Sequence, residues 1–181
     1  MGTGPGKIGN SVSDPASQRG ESFVIRWATY DDIARLESSM ELWELQEANR
    51  RAFEAYRAGR LLWLVADVDG VPVGTVWGEL FPEHDRSGLT VHVVSFRVHD
   101  SFQNRGIGSH LLRAVEEEAR LRGRRVATLF VAQDNGGAIR LYERHGYRIV
   151  GSRTSRFEFK DASGRRHLRV EDQFVMRKSL S

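Results

Sequence analysis

The chain has 181 residues, of which 40% are hydrophobic and 28% charged, and its formal net charge is +3, which is typical of a single soluble globular domain. It contains no cysteine, which excludes disulfides, thiolate metal sites and a cysteine nucleophile, and its six scattered histidines show no metal-binding spacing, so no metal is expected. No apolar run approaches the roughly 20 residues that cross a bilayer, and no hydrophobic signal segment begins the chain, so we expect a cytoplasmic protein without a membrane partner.

The first segment, residues 1–22, is rich in Gly, Ser and Pro and is predicted to be a disordered tail before a single domain over residues 23–181. The hydrophobic patterns of that domain predict elements in the order β, α, α, β, β, β, α, β, α, β, β. The predicted strands cover residues 23–28, 61–67, 71–80, 91–98, 126–131, 147–160 and 167–177, and the helices follow Thr29, cover residues 41–57, end at Gly123 and cover residues 136–145. Strands 91–98 and 126–131, joined by a helix, are predicted to be parallel neighbours.

Residues 91–112 contain a β-rich run, a polar loop that ends in glycines and an apolar helix start. Glycine lets the backbone approach a ligand closely, and a helix N-terminus adds roughly half a positive charge, so the N–H groups of residues 103–108 can point at a phosphate. Gly108 is followed by Ser109 and His110, so the Lys-Ser/Thr pair of a nucleotide P-loop is missing, as is the third glycine of a dinucleotide fingerprint. The loop therefore predicts an anion site of another kind.

Two motifs carry a resemblance to a known superfamily. Residues 103–108, Gln-Asn-Arg-Gly-Ile-Gly, match the pattern Q/R-x-x-G-x-G/A and resemble the pyrophosphate loop of the GNAT superfamily of N-acetyltransferases. Residues 135–147, with Asn135, Ala138, Tyr142 and Gly146, are similar to the downstream N…A…LYxxxGF signature of that superfamily. The resemblance covers about residues 23–178.

This resemblance implies an α/β (α+β mixed) GNAT-like fold, with about seven strands in a mostly antiparallel sheet, a parallel splayed central pair and about four helices. It also implies acetyl-CoA as co-substrate, with the glycine loop on the diphosphate and the backbone of one strand end on the pantetheine. The cofactor-binding residues that it implies are Phe96, Arg97, Val98, Gln103, Asn104, Arg105, Gly106, Ile107, Gly108, Ser109, Asn135 and Tyr142. Asn135 is also the expected N-cap of the short helix.

Two side chains are the candidates for catalysis. Tyr142 resembles the tyrosine that faces the coenzyme sulfur in this superfamily and acts as general acid. His92 occupies the place where some members carry a glutamate or histidine base, and an unperturbed pKa of about 6.5 suits proton removal at neutral pH. Strand alternation predicts His92, Val94, Phe96 and Val98 on one face. His92 could equally be a hydrogen-bonded sheet histidine.

Other groups could replace His92 as base: Glu79, Glu83 or water. The loop residues His84, Asp85 and Arg86 could line the substrate mouth, although a plain surface loop is the simpler interpretation. No motif in the sequence identifies the amine that would accept the acetyl group.

The function that the resemblance implies is acetyl transfer from acetyl-CoA to a primary amine of a small molecule or protein. Transfer would be direct, in a ternary complex, because no cysteine can carry the acyl group. A GNAT-like module that binds acyl-CoA without turnover is the alternative. A nucleic-acid partner would rest only on arginine content, and the cluster Arg120, Arg122, Arg124 and Arg125 is better explained as a solvated helix end. The final hairpin could pair between subunits in a homodimer.

Overall fold

The computed structural model describes residues 22–39, 46–85, 87–160 and 164–180. The strands are β1 Val24–Trp27, β2 Leu61–Val68, β3 Val71–Glu79, β4 Thr90–Val98, β5 Val126–Ala132, β6 Arg148–Lys160 and β7 Arg166–Ser179. The helices are α1 Tyr30–Ser39, α2 Gln46–Arg57, α3 Ile107–Leu121 and α4 Gly136–Arg144, with a short 3-10 turn at Asp100–Phe102. Several predicted features lie outside the described residues. They are the tail up to residue 21, Met40, the first residues of the predicted second helix, Arg86 and the hairpin tip at 161–163.

One seven-stranded sheet organises the molecule, in the order β1-β2-β3-β4-β5-β7-β6. All neighbouring strands are antiparallel except β4 and β5, which pair in parallel over Thr90–Val93 and Val126–Leu129. The predicted mixed sheet with a parallel central pair is confirmed. In the described ranges, no helix is both long enough and apolar enough to span a bilayer.

Each face of the sheet carries its own apolar core. Leu111, Leu112 and Val115 of α3 are fully buried against alternate residues of β2, β3 and β4 on one face. Ile33 and Leu36 of α1 join Trp63, Trp77 and the buried end of α2 on the other. The spacing of the apolar residues in α3 explains why one stripe of that helix is buried. This two-sided packing holds the central strands rigidly between the helices.

Gly78 on β3 lies where α3 packs closest to the sheet. A Cβ added there would lie 2.9 Å from Val115 Cγ2 and 3.0 Å from Val91 Cγ2, and β-branched side chains have little freedom to move away. We expect Gly78→Ala to lower the free energy of unfolding in urea by about 1–3 kcal/mol. The matched control is Gly151→Ala on β6, whose added Cβ meets no described atom within 4 Å, and an equal loss in both variants would contradict this packing.

A β-bulge in β4 corrects one prediction. Trp77 pairs with Val94 and Thr75 with Arg97, so two residues of β4, Ser95 and Phe96, lie opposite a single residue of β3. Ser95 has a φ of +47°. Simple alternation is therefore wrong across this point. Val94 packs on the side of α1 and α2, and His92 lies two residues earlier on the same face of β4, whereas Phe96 and Val98 turn to the α3 side.

The arginines after α3 are held locally. Arg120 donates to both oxygens of Glu117, at 2.8 and 2.7 Å, and Arg122 pairs with Glu118. Arg124 donates to the carbonyl oxygen of Gly88 at 2.6 Å. Arg120 and Arg122 are exposed and pair within the helix end, whereas Arg124 is half-buried and lies over the Phe81 ring.

Candidate active site

A cleft opens where β4 and β5 stop pairing. Their parallel ladder ends at Val93 and Leu129, and beyond it the two strands diverge. The cavity has a volume of about 780 Å³. Its lining includes ten of the predicted site residues: Phe96, Arg97, Val98, Gln103, Asn104, Gly106, Gly108, Ser109, Asn135 and Tyr142. The structure thus brings both sequence motifs to one cleft.

The glycine loop forms one end of this cleft. Gly106 has a φ of +80°, which favours glycine, and it is the N-cap of α3. A glycine cap has no side chain to compete for the N–H groups of the first turn. Gln103 anchors the loop, because its Nε2 donates to the Val98 carbonyl at 3.1 Å and to Asp100 Oδ1 at 2.8 Å. The result is a rigid backbone turn at a helix N-terminus, an arrangement suited to phosphate.

Two residues of the predicted loop are placed differently. The guanidinium of Arg105 stacks over the Phe102 ring at 5.0 Å and is not among the lining side chains. Ile107 is 2% exposed and packs in the core below α3. Ile107 therefore anchors the helix start by apolar packing.

Tyr142 and Asn135 reach the cleft from α4. Asn135 Oδ1 accepts a hydrogen bond from the Ala138 N–H at 3.1 Å, which confirms its predicted capping role. The Tyr142 ring lies 6.0 Å from that of Phe96, and its burial raises the pKa of the phenol above the usual value of 10. Tyr142 is therefore protonated throughout the neutral range and can donate a proton or hydrogen bond within the cleft.

His92 lies beside the cleft and is absent from its lining. Its side chain is 4% exposed, and its ring centroid lies 4.3 Å from that of Phe130, which does line the cleft. His92 Nδ1 is 2.9 Å from Thr128 Oγ1 on the neighbouring strand. The sheet-histidine interpretation and a catalytic role are both compatible with this position.

Burial, followed by the charges of the nearby His84 and Arg153, lowers the pKa of His92 to about 4. His92 is harder to protonate in the folded state than in the unfolded chain, so it contributes stability above its unfolded pKa of 6.5. That contribution is lost as the pH falls from 6.5 through its folded pKa of about 4. The imidazole is thus neutral at physiological pH. It can accept a proton only transiently, as a step in a transfer.

The consequence for stability is measurable. Between about pH 7 and about pH 4.5, we expect the wild-type chain to lose about 2 kcal/mol of unfolding free energy that His92→Gln does not lose. Urea unfolding at both pH values measures the difference, with His167→Gln on β7 as the matched control. Parallel pH slopes for wild type and His92→Gln would contradict the buried neutral state.

The alternative bases occupy the same region. Glu79 lies directly opposite His92 in the β3–β4 register, and burial, followed by the charge of Glu83, raises the pKa of its carboxyl. His84 is exposed but its ring centroid lies 4.7 Å from that of His92, so the predicted surface loop reaches the histidine. Asp85 closes that loop by accepting hydrogen bonds from Ser87 and Thr90.

Several lining residues carry no local sequence signal. Phe130, Val131 and Ala132 follow the last residue of β5 that pairs with β4, and Glu171 and Gln173 come from β7. Gln173 reaches the cleft because β7 pairs antiparallel to β5, with Ala132 opposite Gln173. Only the assembled sheet identifies them. Within the described ranges, no three His, Asp or Glu side chains are grouped as metal ligands would be.

Comparison with known proteins defines the class. The sequence matches the model of the acetyltransferase (GNAT) family over residues 28–147, more than half of the chain. The chain belongs to the GNAT family, as the resemblance implied.

Individual relatives agree with this family. An uncharacterized N-acetyltransferase of Methanocaldococcus jannaschii is 29% identical over 148 residues, which cover 70% of this chain and 61% of the relative. The chain thus spans less than two thirds of that protein. A crystallised N-acetyltransferase from Staphylococcus aureus superposes with a TM-score of 0.72 at 18% identity, over 88% of this chain and 99% of that one. A putative acetyltransferase from Salmonella typhimurium, crystallised with acetyl-CoA, gives 0.69 at 22% identity, over 88% and 95%.

Proposed function

We propose that this protein is an N-acetyltransferase that moves the acetyl group of acetyl-CoA to a primary amine of a small molecule or protein. The observation that carries the proposal is the cleft itself, which has the glycine loop at one end, the open edge of β4 along its wall and Tyr142 within it. The Salmonella neighbour with bound acetyl-CoA supports the choice of co-substrate.

The residues present fit acetyl-CoA. Gly106 and the first turn of α3 offer backbone N–H groups to a diphosphate, and a larger residue at Gly106 would be strained at its φ of +80°. The β4–β5 ladder ends at Val93, so the backbone of Val94, Ser95 and Phe96 borders the cleft where β5 no longer pairs with it, and an extended pantetheine amide chain could pair there. A Cβ added at Gly108 would lie 3.4 Å from Phe96 Cζ and 3.5 Å from Leu141 Cδ2. This close packing keeps the glycine loop near strand β4.

Acetyl-CoA supplies the thioester, and groups of the protein take three catalytic roles in its reaction with an amine. A backbone N–H of β4 beyond its last β5 pairing, at Val93, donates to the oxygen on which negative charge develops. Tyr142 donates its phenolic proton to the departing thiolate sulfur. His92 accepts the proton that the amine loses, directly or through one water. The chain has no cysteine, so the acetyl group passes directly to the amine in a ternary complex.

A panel of amines tests the proposal. Polyamines, aminoglycosides, amino acids, arylalkylamines and peptide N-termini are each mixed with acetyl-CoA and a thiol reagent, and mass spectrometry identifies the acetylated product. Amine-dependent thiol release is the expected result, and reactions without amine or without protein are the controls. Acetyl-CoA binding without thiol release for any amine would favour the non-catalytic acyl-CoA-binding module instead.

A further inference from the structure

Three side chains from separate parts of the chain form a continuous path from the buried strand to the surface. Thr128 Oγ1 on β5 lies 2.9 Å from His92 Nδ1 and 3.5 Å from His84 Nε2. The second distance is long, but such contacts shorten in complexes with substrate. One hydroxyl thus lies within reach of both imidazoles, with one nitrogen of each ring pointing at it.

The two histidines differ in their exposure. His92 is 4% exposed, whereas His84, in the loop after β3, is an exposed residue. Phe130, which lines the cleft, contacts both rings, with centroid distances of 4.3 Å to His92 and 5.6 Å to His84. A proton taken up at the buried imidazole has no direct contact with bulk water, so it needs a path outward. Thr128 and His84 supply such a path.

We propose that Thr128 and His84 relay the amine's proton from His92 to solvent. This inference rests on the proposed function, because acetyl transfer to an amine is what releases the proton. His92 is the group that accepts the proton, and Thr128 and His84 act through it, so they are relay residues that do not themselves touch the reacting atoms.

The transfer balances with one proton in and one proton out. Before reaction, His92 is neutral with its proton on Nδ1 and donates to Thr128 Oγ1, whose own hydrogen points to the unprotonated Nε2 of His84. The amine nitrogen forms a bond to the acetyl carbon as the carbon–sulfur bond breaks, and the amine gives one proton to His92 Nε2. Tyr142 protonates the departing thiolate and regains its own proton from water in the cleft. His92 passes its Nδ1 proton to Thr128 Oγ1, and the hydroxyl hydrogen moves to His84 Nε2. His84, now an imidazolium, releases its Nδ1 proton to water, and tautomer exchange of both imidazoles restores the starting arrangement before the next turnover.

The charged groups around His92 favour outward movement. Glu79 on β3 lies opposite His92. The guanidinium of Arg153 on β6 lies 4.2 Å from the centroid of the Phe130 ring, and Arg177 on β7 lies opposite Thr128. Burial, then the charge of His84 and then that of Arg153 disfavour a charged His92, as its lowered pKa indicates. His84 is exposed, so a proton that reaches its ring is in contact with water. The proton therefore moves towards the site where its charge is better solvated.

Substitution of Thr128 is the sharpest test. Thr128→Val keeps the β-branched shape but removes the hydroxyl, and Thr128→Ser keeps the hydroxyl. With an amine identified in the panel, we expect Thr128→Val to lower kcat about tenfold or more near neutral pH, with recovery at high pH where free amine is abundant. The affinity for acetyl-CoA should be unchanged, and Thr128→Ser should recover most of the rate.

His84 offers an independent variant and Thr154 a control. We expect His84→Gln to reproduce the loss and added imidazole to restore part of the rate. Thr154→Val makes the same chemical change on β6, where the hydroxyl donates to Asp172, and should keep the wild-type pH profile. The solvent deuterium isotope effect should involve more than one proton in wild type and fewer in Thr128→Val.

The outcomes separate the relay from the proposed function. If wild type turns over and Thr128→Val retains its pH profile and isotope effect, the relay is wrong while acetyl transfer stands. If wild type acetylates no amine, the proposed function fails and the relay fails with it. Nitrogen NMR of the free protein adds a readout without turnover, because the relay requires the His92 proton on Nδ1. A proton found on Nε2 alone would overturn it.

Discussion

Replacing Tyr142 with phenylalanine is expected to lower kcat about a hundredfold while the affinity for acetyl-CoA changes little. The phenol is almost fully buried in the cleft, and its raised pKa keeps it protonated at neutral pH, so it is available as a proton donor to a departing thiolate. The substitution removes that donor and preserves the ring that packs beside Phe96. Steady-state kinetics with the best amine of the panel and calorimetric titration with acetyl-CoA measure the two effects separately.

Tyr147 supplies the matched control. It is also buried, its ring lies 5.8 Å from that of Tyr142, and it does not line the cleft. Tyr147→Phe should therefore turn over at close to the wild-type rate. A full-rate Tyr142→Phe enzyme would remove Tyr142 from the mechanism and leave water as the donor to the sulfur.

Gly106→Ala is expected to weaken acetyl-CoA binding by roughly tenfold to a hundredfold, with kcat at saturating acetyl-CoA reduced much less. Gly106 has a φ of +80°, so a Cβ forces the loop to relax, and the N–H groups of the first turn of α3 then no longer converge on one point. Each charge-assisted hydrogen bond lost to a phosphate costs about 1.5–3 kcal/mol. Calorimetric titration with coenzyme A alone reports the change without catalysis.

Gly123 separates backbone strain from loss of the anion site. It has the same φ of +80°, but it lies at the other end of α3, away from the cleft. Gly123→Ala should therefore reduce stability as Gly106→Ala does, yet keep the affinity for coenzyme A. Equal weakening in both variants would mean that strain alone lowers binding and that the glycine loop is not the diphosphate site.

The sequence by itself determined the features that depend on neighbouring residues. Strand β4, the glycine loop and α3 follow one another within residues 90–121, and their period-2 and period-3.6 patterns, with Gly106 at a positive φ, encode that unit locally. The same is true of Asn135 and Tyr142, which one short helix places together. Both motifs therefore reached the cleft as predicted, and the mixed sheet followed from the order of elements.

Only the tertiary structure decided what lies opposite each strand. The bulge at Ser95 and Phe96 arises because two residues of β4 meet one of β3, and alternation within a single strand cannot foresee it. The group of His84, Thr128 and His92 joins a loop and two strands up to 44 residues apart, so it exists only once β4 and β5 pair in register. Burial in that sheet, and no property of the local sequence, is what makes His92 a neutral imidazole next to the cleft.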